Sequence, residues 1–295
     1  MTTEFLMEAG RIASRVRKEA RSEVEVGRPI IEICDFVERR TRELGGRSAF
    51  PCNVDIDKVA AHYTSPVGDE LVIPDGSLVK VDIGVHVDGY IADTATTICL
   101  NPSLNDMVKA AEAGLDAAIK NLRAGVSSSE IGTLIERAIR ARGYVPIRNL
   151  TGHMMSRYMV HAGKSIPNVS SMPGDMIHEG EVYAVEPFSV PPNAAGVVTD
   201  GPPSNIYIFQ KKRSVKGLAK RMVKFIQSQY RTMPFASRWV LRKYPGPEGA
   251  EAFSELLRSR CLYAYPQLVE RSQAPVAQAE HTMIVTEDGC VVTTA

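Results

Sequence analysis

Residues 78–100, LVKVDIGVHVDGYIADTATTICL, decide how the rest of the chain is read. Two β-type runs flank Asp88-Gly89, and Asp-Gly between such runs is a strong signal for a two-residue hairpin. Pairing Val87 with Tyr90 across that turn sets Asp82 opposite Ala95 and Asp93 opposite Gly84. Side chains alternate along a strand, so Asp82 and Asp93 share one face as diagonal neighbours. A slip of one residue would separate them. Val81, Ile83, Val85 and Val87 fall on the other face and read as core. From this stretch alone two readings stay open: ordinary acids on a solvated face, or the beginning of a site for a hard cation.

N-terminal to the hairpin, residues 3–24 carry Phe5, Leu6, Ala9, Ile12, Ala13 and Val16 at helical spacing. Pro29 opens a second helix and Gly45-Gly46 stops it. The segment SAFPCNVDIDKVAAHYTSPVGDE follows, strand-like and then polar, with His62 near its middle. A single histidine beside Ala-Ala and Tyr is, by itself, more often structural than catalytic. C-terminal to the hairpin, helical patterns at 104–122 and 127–142 precede NLTGHMMSRYMVHAGKSIPNV, a Gly-containing, poorly periodic stretch that reads as a loop bearing His153 and His161. EVYAVEPFSV then reads as a strand with Glu186 in its middle, where an unpaired charge is costly and a partner is needed. QAEHTMIVTEDGCVVTT is again strand, Asp-Gly turn, strand, with Glu280 and His281 on its first strand. The order is helices then strands, twice over.

Between those last strands the sequence changes character at roughly 196–270, with helical patterns at 213–230 and near 250–260 and a Pro-Gly-Pro stretch at 245–247. Lys211 to Lys243 holds eleven of the 35 Lys/Arg residues and no acid, which leaves 24 basic against 34 acidic residues elsewhere. This reads as a separate inserted unit, 196–270, mostly helical and basic, within a body made of 1–195 and 271–295. Overall the net charge is +1, with 23% charged and 44% apolar residues, an ordinary soluble composition without a global field toward nucleic acid. Five cysteines without CxxC spacing read as free thiols, mostly buried, which suits a reducing cytosol. The N-terminal stretch has no apolar core of a signal peptide and no 18-residue apolar run occurs, so a cytoplasmic protein without a membrane span is expected.

Together Asp82, Asp93, His153, Glu186 and Glu280 offer four carboxylates and one imidazole, all at or beside strand segments. That donor set suits a pair of divalent ions such as Mn²⁺, Fe²⁺, Co²⁺ or Zn²⁺, whose charges the carboxylates would balance. Two such ions about 3.5–4 Å apart can share and acidify a water.

AAHYT (60–64), KVDIGVHVDGYIADTA (80–95), NLTGHMMSRYMVHAGKSIPN (149–168), YAVEPF (183–188) and AEHTMIV (279–285), in this order, resemble the methionine aminopeptidases, type II branch, archaeal form. The resemblance covers nearly the whole chain. It implies the α+β pita-bread fold, two pseudo-symmetric α/β halves around an antiparallel sheet, with an inserted helical subdomain. It also implies removal of N-terminal methionine from nascent chains whose second residue is small, by a metal-bridged water that attacks the first peptide carbonyl. Asp82 would bind one ion, Asp93 and Glu280 would bridge both, and His153 and Glu186 would hold the other. His62 and His161 would serve as the catalytic, substrate-binding histidines that are not ligands, reversing the local reading of His62. Phe50, Val160 and Tyr265 fall near positions that line the methionine pocket. His86, on the aspartates' face, reads as a surface histidine, with His178 and His281 outside the metal site. Ala279 departs from the family, which usually has an aromatic before the last glutamate.

Two competing readings are a proline-directed relative and a non-catalytic binding homologue. The first carries a large N-terminal domain, whereas 61 residues precede His62 here; the second would have lost its ligands, and all five types are present. The expected partners are the N-terminal methionine of nascent polypeptides and the ribosome, the latter through the basic stretch 211–243, and a monomer is expected.

Overall fold

The computed structural model describes residues 2–295. Helices α1 (Thr2–Ala20) and α2 (Ile30–Glu43) come first, joined through a 3-10 turn at Arg21–Glu23. Strands β1 (Arg47–Ser48), β2 (Asn53–Ile56) and β3 (Val59–Ala61) lead to the long hairpin of β4 (Leu78–Val87) and β5 (Tyr90–Cys99). Its register runs from Val87↔Tyr90 to Leu78↔Cys99 and includes Asp82↔Ala95 and Gly84↔Asp93, as the turn chemistry predicts. Asp88 and Gly89 both take positive φ, +50° and +88°, the twist a two-residue hairpin turn needs. Val79, Val81, Ile83 and Val85 on one face of β4 pack against Ile12, Val16, Ile33 and Val37 of α1 and α2. Three of the five cysteines are buried and none is bonded to another.

The second half repeats the plan. Helices α3 (Asn105–Asn121) and α4 (Ser128–Ala141), the latter capped by the Ser127 side chain, precede β6 (Val145–Pro146), β7 (Thr151–Met155), β8 (Ser165–Pro167), β9 (Val182–Val185) and β10 (Phe188–Val190). Later come β11 (Val198–Phe209), α5 (Gly217–Tyr230), β12 (Phe235–Ala236), α6 (Ser237–Lys243), α7 (Gly246–Arg258) and β13 (Leu262–Glu270). The chain closes with β14 (Ala277–Gln278), β15 (His281–Val285) and β16 (Cys290–Val292). Leu115, Ile131, Ile135 and Ile139 of α3 and α4 cover Tyr183, Val185, Met283 and Val285 in a core of their own. The sheet they cover runs β16-β15-β9-β7-β8, and the hairpin sheet has β1 and β2 along one edge of β4 and β5 along the other.

Threonine hydroxyls join the two halves. Thr282 Oγ1 accepts from the Asp93 N–H at 2.7 Å and donates to the Asp93 carbonyl at 2.8 Å. Thr94 Oγ1 donates to the Glu280 carbonyl at 2.8 Å, and Thr97 Oγ1 to that of Gln278 at 2.7 Å. Each satisfies a buried backbone group where the strands are not in one ladder.

The segment read as mostly helical contains α5, α6 and α7 but hangs from two long antiparallel strands, β11 and β13. Gly201-Pro202-Pro203 interrupts the alternation of β11 and hid it; the register shifts there. β13 pairs on with β3, so the segment returns to the body beside His62. At its other contact the fully buried Arg238 of α6 pairs with Glu38 of α2, donates to Thr64 Oγ1 at 2.7 Å, and to the Ser65 carbonyl at 2.9 Å. Trp239 Nε1 donates to the same glutamate at 2.6 Å. The nearby Arg242–Asp35 pair, 2.6 Å apart, is exposed. Removing one partner of a buried pair strands the other, so Arg238→Ala should cost about 3–5 kcal/mol in urea denaturation. Arg242→Ala should cost under about 1 kcal/mol; equal costs would mean that Arg238 anchors nothing.

Candidate metal centre

Asp82 and Asp93 project from the hairpin face opposite the α1/α2 core, and both are buried. Gly84, paired with Asp93, is required there: a Cβ would lie 2.3 Å from the Phe50 ring. His153 sits within strand β7 rather than a loop. Gly152 beside it lets β7 close on β9, since a Cβ would come within 2.4 Å of the Ala184 carbonyl. Glu186 falls between β9 and β10, where Pro187 ends the ladder, and Glu280 falls between β14 and β15 rather than on a strand. These breaks are matched, because β9 pairs with β15 through His281↔Val185 and β10 pairs with β14 through Phe188↔Gln278. Two adjacent strands are therefore interrupted at the same level, and each presents a glutamate there.

Ligand atoms of Asp93, His153 and Glu280 lie within 4.8 Å of one another. His153 Nε2 is 3.7 Å from Asp93 Oδ2 and 3.6 Å from Glu186 Oε1, too long for hydrogen bonds. Asp82 Oδ1 and Asp93 Oδ1 are buried with no hydrogen-bond partner. Burial pushes the Asp82 carboxyl up to about 7. Burial and then mutual repulsion push Asp93, Glu186 and Glu280 well above the usual carboxylate range. His153, buried and beside His161, is pushed down to about 3 and stays neutral. Orphaned carboxylate oxygens, a neutral imidazole and uncompensated charge all fit divalent cations.

His62 directly follows β3 with φ +76°, a left-handed conformation that is strained for a histidine, with its ring edge-on to Tyr265 at 5.8 Å. The His161 ring lies 4.2 Å from that of His153. Burial lowers both, His62 to about 4, so each is neutral and offers one donor and one acceptor. All ten residues singled out from the sequence line one cavity: Asp82, Asp93, His153, Glu186, Glu280, His62, His161, Phe50, Val160 and Tyr265.

Several neighbours escaped the sequence reading. Asn53 Nδ2 donates to Asp82 Oδ2 at 3.4 Å, and Gln278 Nε2 reaches Glu280 Oε2 at 3.5 Å. Asn53 is found only once β2 pairs with β4 in the register Asn53↔Asp82, which no local signal gives. Ile206 and Pro234 reach the cavity wall from the basic segment. His86 is not a surface histidine. It is buried, accepts from the Gly89 N–H at 3.1 Å, and meets the Tyr158 ring edge-on at 5.7 Å. Ala279 is buried in the second core.

The fold and donor set define a metallopeptidase: residues 4–287 match metallopeptidase family M24, and the chain belongs to that family. It is 45% identical over 295 residues to the methionine aminopeptidase of Methanothermobacter thermautotrophicus, covering 99% of this chain and 98% of that one. Among solved structures a thermophilic Arx1 superimposes with a TM-score of 0.82 at 19% identity, covering 99% of this chain and 90% of the other. A methionine aminopeptidase from Thermotoga maritima gives 0.70 at 19% identity, covering 99% and 95%. At such identities the structural likeness speaks for the fold alone, which is the pita-bread fold expected from the motifs.

Cations and protons compete for these carboxylates. The folded state holds Asp82 near 7 against an ordinary 3.8, so without metal that carboxyl favours folding at low pH and loses its contribution as pH rises through about 7. The gap in melting temperature between metal-loaded and chelated protein should therefore widen from pH 6 to pH 8. A gap that is constant or narrows would mean that no metal replaces protons on these groups.

Proposed function

We propose that this chain is a metal-dependent aminopeptidase that releases N-terminal methionine from peptides and nascent proteins when the second residue is Gly, Ala, Ser, Thr, Cys, Pro or Val. The observation that carries this reading is the single cavity in which five donors, four of them buried, two neutral histidines and the apolar wall of Phe50, Val160 and Tyr265 converge. The relatives at 40–46% identity bear the same activity in their names. Asp82, Asp93, His153, Glu186 and Glu280 would hold two divalent ions, with Asp93 and Glu280 between them; cobalt, manganese, iron and zinc all suit the donors. When bound, the ions supply Lewis acidity and a water of lowered pKa. The protein's own share is positional. His62 and His161, uncharged, can turn an N–H toward the oxygen on which negative charge develops while keeping an acceptor for the substrate N–H. The two rings of Phe50 and Tyr265 provide apolar, sulfur-tolerant contact for a thioether side chain. Asn53 fixes the orientation of Asp82.

We further read 1–195 and 271–295 as the catalytic body and 196–270 as the inserted unit, whose separate core of Met222, Ile226, Phe253 and Leu256 supports that division. No helix among the described residues is long and apolar enough to cross a membrane. Action in the cytoplasm as a monomer is the reading adopted. Of the basic residues in 211–243, Arg238 and Arg242 are engaged with the body, whereas Lys216, Lys220 and Lys224 are exposed on α5 and its cap, four residues apart on one stripe. These three would form a landing patch for ribosomal RNA phosphates.

Met-Ala-Ser should be cleaved and Met-Lys-Ser spared, and chelation should abolish cleavage. Asp93→Asn or Glu280→Gln should lower turnover by orders of magnitude; full activity of either after exhaustive chelation would overturn the metal-site assignment. His62→Ala and His161→Ala should lower kcat by roughly 10²–10³ with metal content unchanged, and metal loss in either variant would move it into the ligand set. Reversal of Lys216, Lys220 and Lys224 to glutamate should weaken ribosome co-sedimentation at low salt without affecting tripeptide cleavage. If the parent does not co-sediment, the patch is a solvated surface only.

A further inference from the structure

A second cavity, of about 210 Å³, lies behind the carboxylates where β5 meets the β14–β15 segment. At about 30 Å³ per water it has room for a small solute with part of its hydration. Arg17 and Lys18, from the last turn of α1, and Arg21, from the turn that follows, form one wall. Neighbouring arginines on the same helix are neutralised: Arg11 is 2.6 Å from Glu8, and Arg15 is 2.9 Å from Glu19, which also pairs with Arg40. The three at the cavity form no ion pair among the described residues, although Arg17 is attracted by Glu280.

Arg17 spends its hydrogen bonds on neutral acceptors, Thr94 Oγ1 and, at 3.0 Å, His281 Nδ1. Arg21 donates to Thr96 Oγ1. Lys18 is exposed and pairs with no carboxylate among the described residues. Because a guanidinium can only donate, His281 Nδ1 accepts, and the remaining imidazole N–H is on Nε2, a further donor. Two carboxylates belong to the lining. Glu112 of α3 is exposed and forms no ion pair with the three cations, while Glu280 also lines the metal-centre cavity and attracts Arg17 without forming an ion pair with it. Ala95 and Ala279 leave the space between these walls open.

We propose that this cavity is an anion site, separate from the metal centre, that takes a small tetrahedral oxyanion of the phosphate or sulfate class. Two guanidinium forks and an ammonium around one void match such an oxyanion in charge and in paired donors. The site rests on geometry that is independent of the peptidase reading, so it can fail or stand without it.

The test is calorimetric titration with inorganic sulfate at constant ionic strength, on metal-loaded protein and again after chelation, then with inorganic phosphate. One sulfate per chain should bind in both states, because the site does not use the metal. Lys18→Gln with Arg21→Gln, both exposed positions whose replacement should leave the melting profile intact, should weaken binding about tenfold or more, as loss of charge-assisted bonds requires. Ala279→Leu should fill the void and abolish binding; it touches the core, so the polar double variant decides if that protein does not fold. Sulfate binding that disappears on chelation would place the anion at the metal centre. Affinity unchanged in the double variant, or no heat in the parent at millimolar sulfate, would likewise overturn the proposal.

Discussion

Four carboxylates share one cavity, and none of them forms an ion pair with a lysine or arginine among the described residues, although Arg17 lies near enough to Glu280 to attract it. Left ionised and unpaired they would cost far more than a folded domain has to spare. The structure therefore holds together comfortably in one of two ways: protonated, or charged around divalent cations. Everything near the cavity serves this constraint. Neutral histidines add no repulsion toward metal, hydroxyl seams satisfy the backbone without adding charge, and the apolar cores stand behind each half to keep the donors from relaxing apart.

The placement of donors follows from how strands end. The hairpin supplies two aspartates by simple alternation, because β4 and β5 are long and regular. The glutamates come from irregularity instead. A regular strand would send Glu186 into a ladder; Pro187 prevents that, and the break between β14 and β15 does the same for Glu280. Matching the two breaks across one pair of strands puts both carboxylates at one level and leaves backbone groups for threonines to satisfy.

How much of this was legible in the sequence depends on the range of the interaction that decided it. The hairpin register follows from a two-residue turn and alternation, both local, and it is correct through ten pairs. The helices and their stops are local too. Asn53 at Asp82 and the burial of His86 under Tyr158 required knowing which distant segments meet, and nothing in either segment says so. His153 looked loop-borne because Gly152 and two methionines carry little strand signal, yet β9 makes its segment a strand. The long strands β11 and β13 were masked by prolines that bulge the ladder without ending it. The five donors were gathered from their residue types at strand segments, whereas His62, His161, Phe50, Val160 and Tyr265 joined them only through the family resemblance, the local reading having left His62 on the structural side.

The matched strand breaks also order events in time. β10 and β14 lie side by side, but β11 to β13 and three helices intervene in sequence, and the last donor, Glu280, follows the first, Asp82, by nearly the whole body. During synthesis the first half can collapse early, since α1, α2 and the hairpin close a core among themselves. Three donors and then a fourth accumulate in a cleft whose closing strand has not been made. A cation captured at that stage would find an incomplete, open coordination shell, and release would be fast. Only when β15 docks beside β9 does Glu280 join the other four side chains, so the cluster is complete only once the fold is.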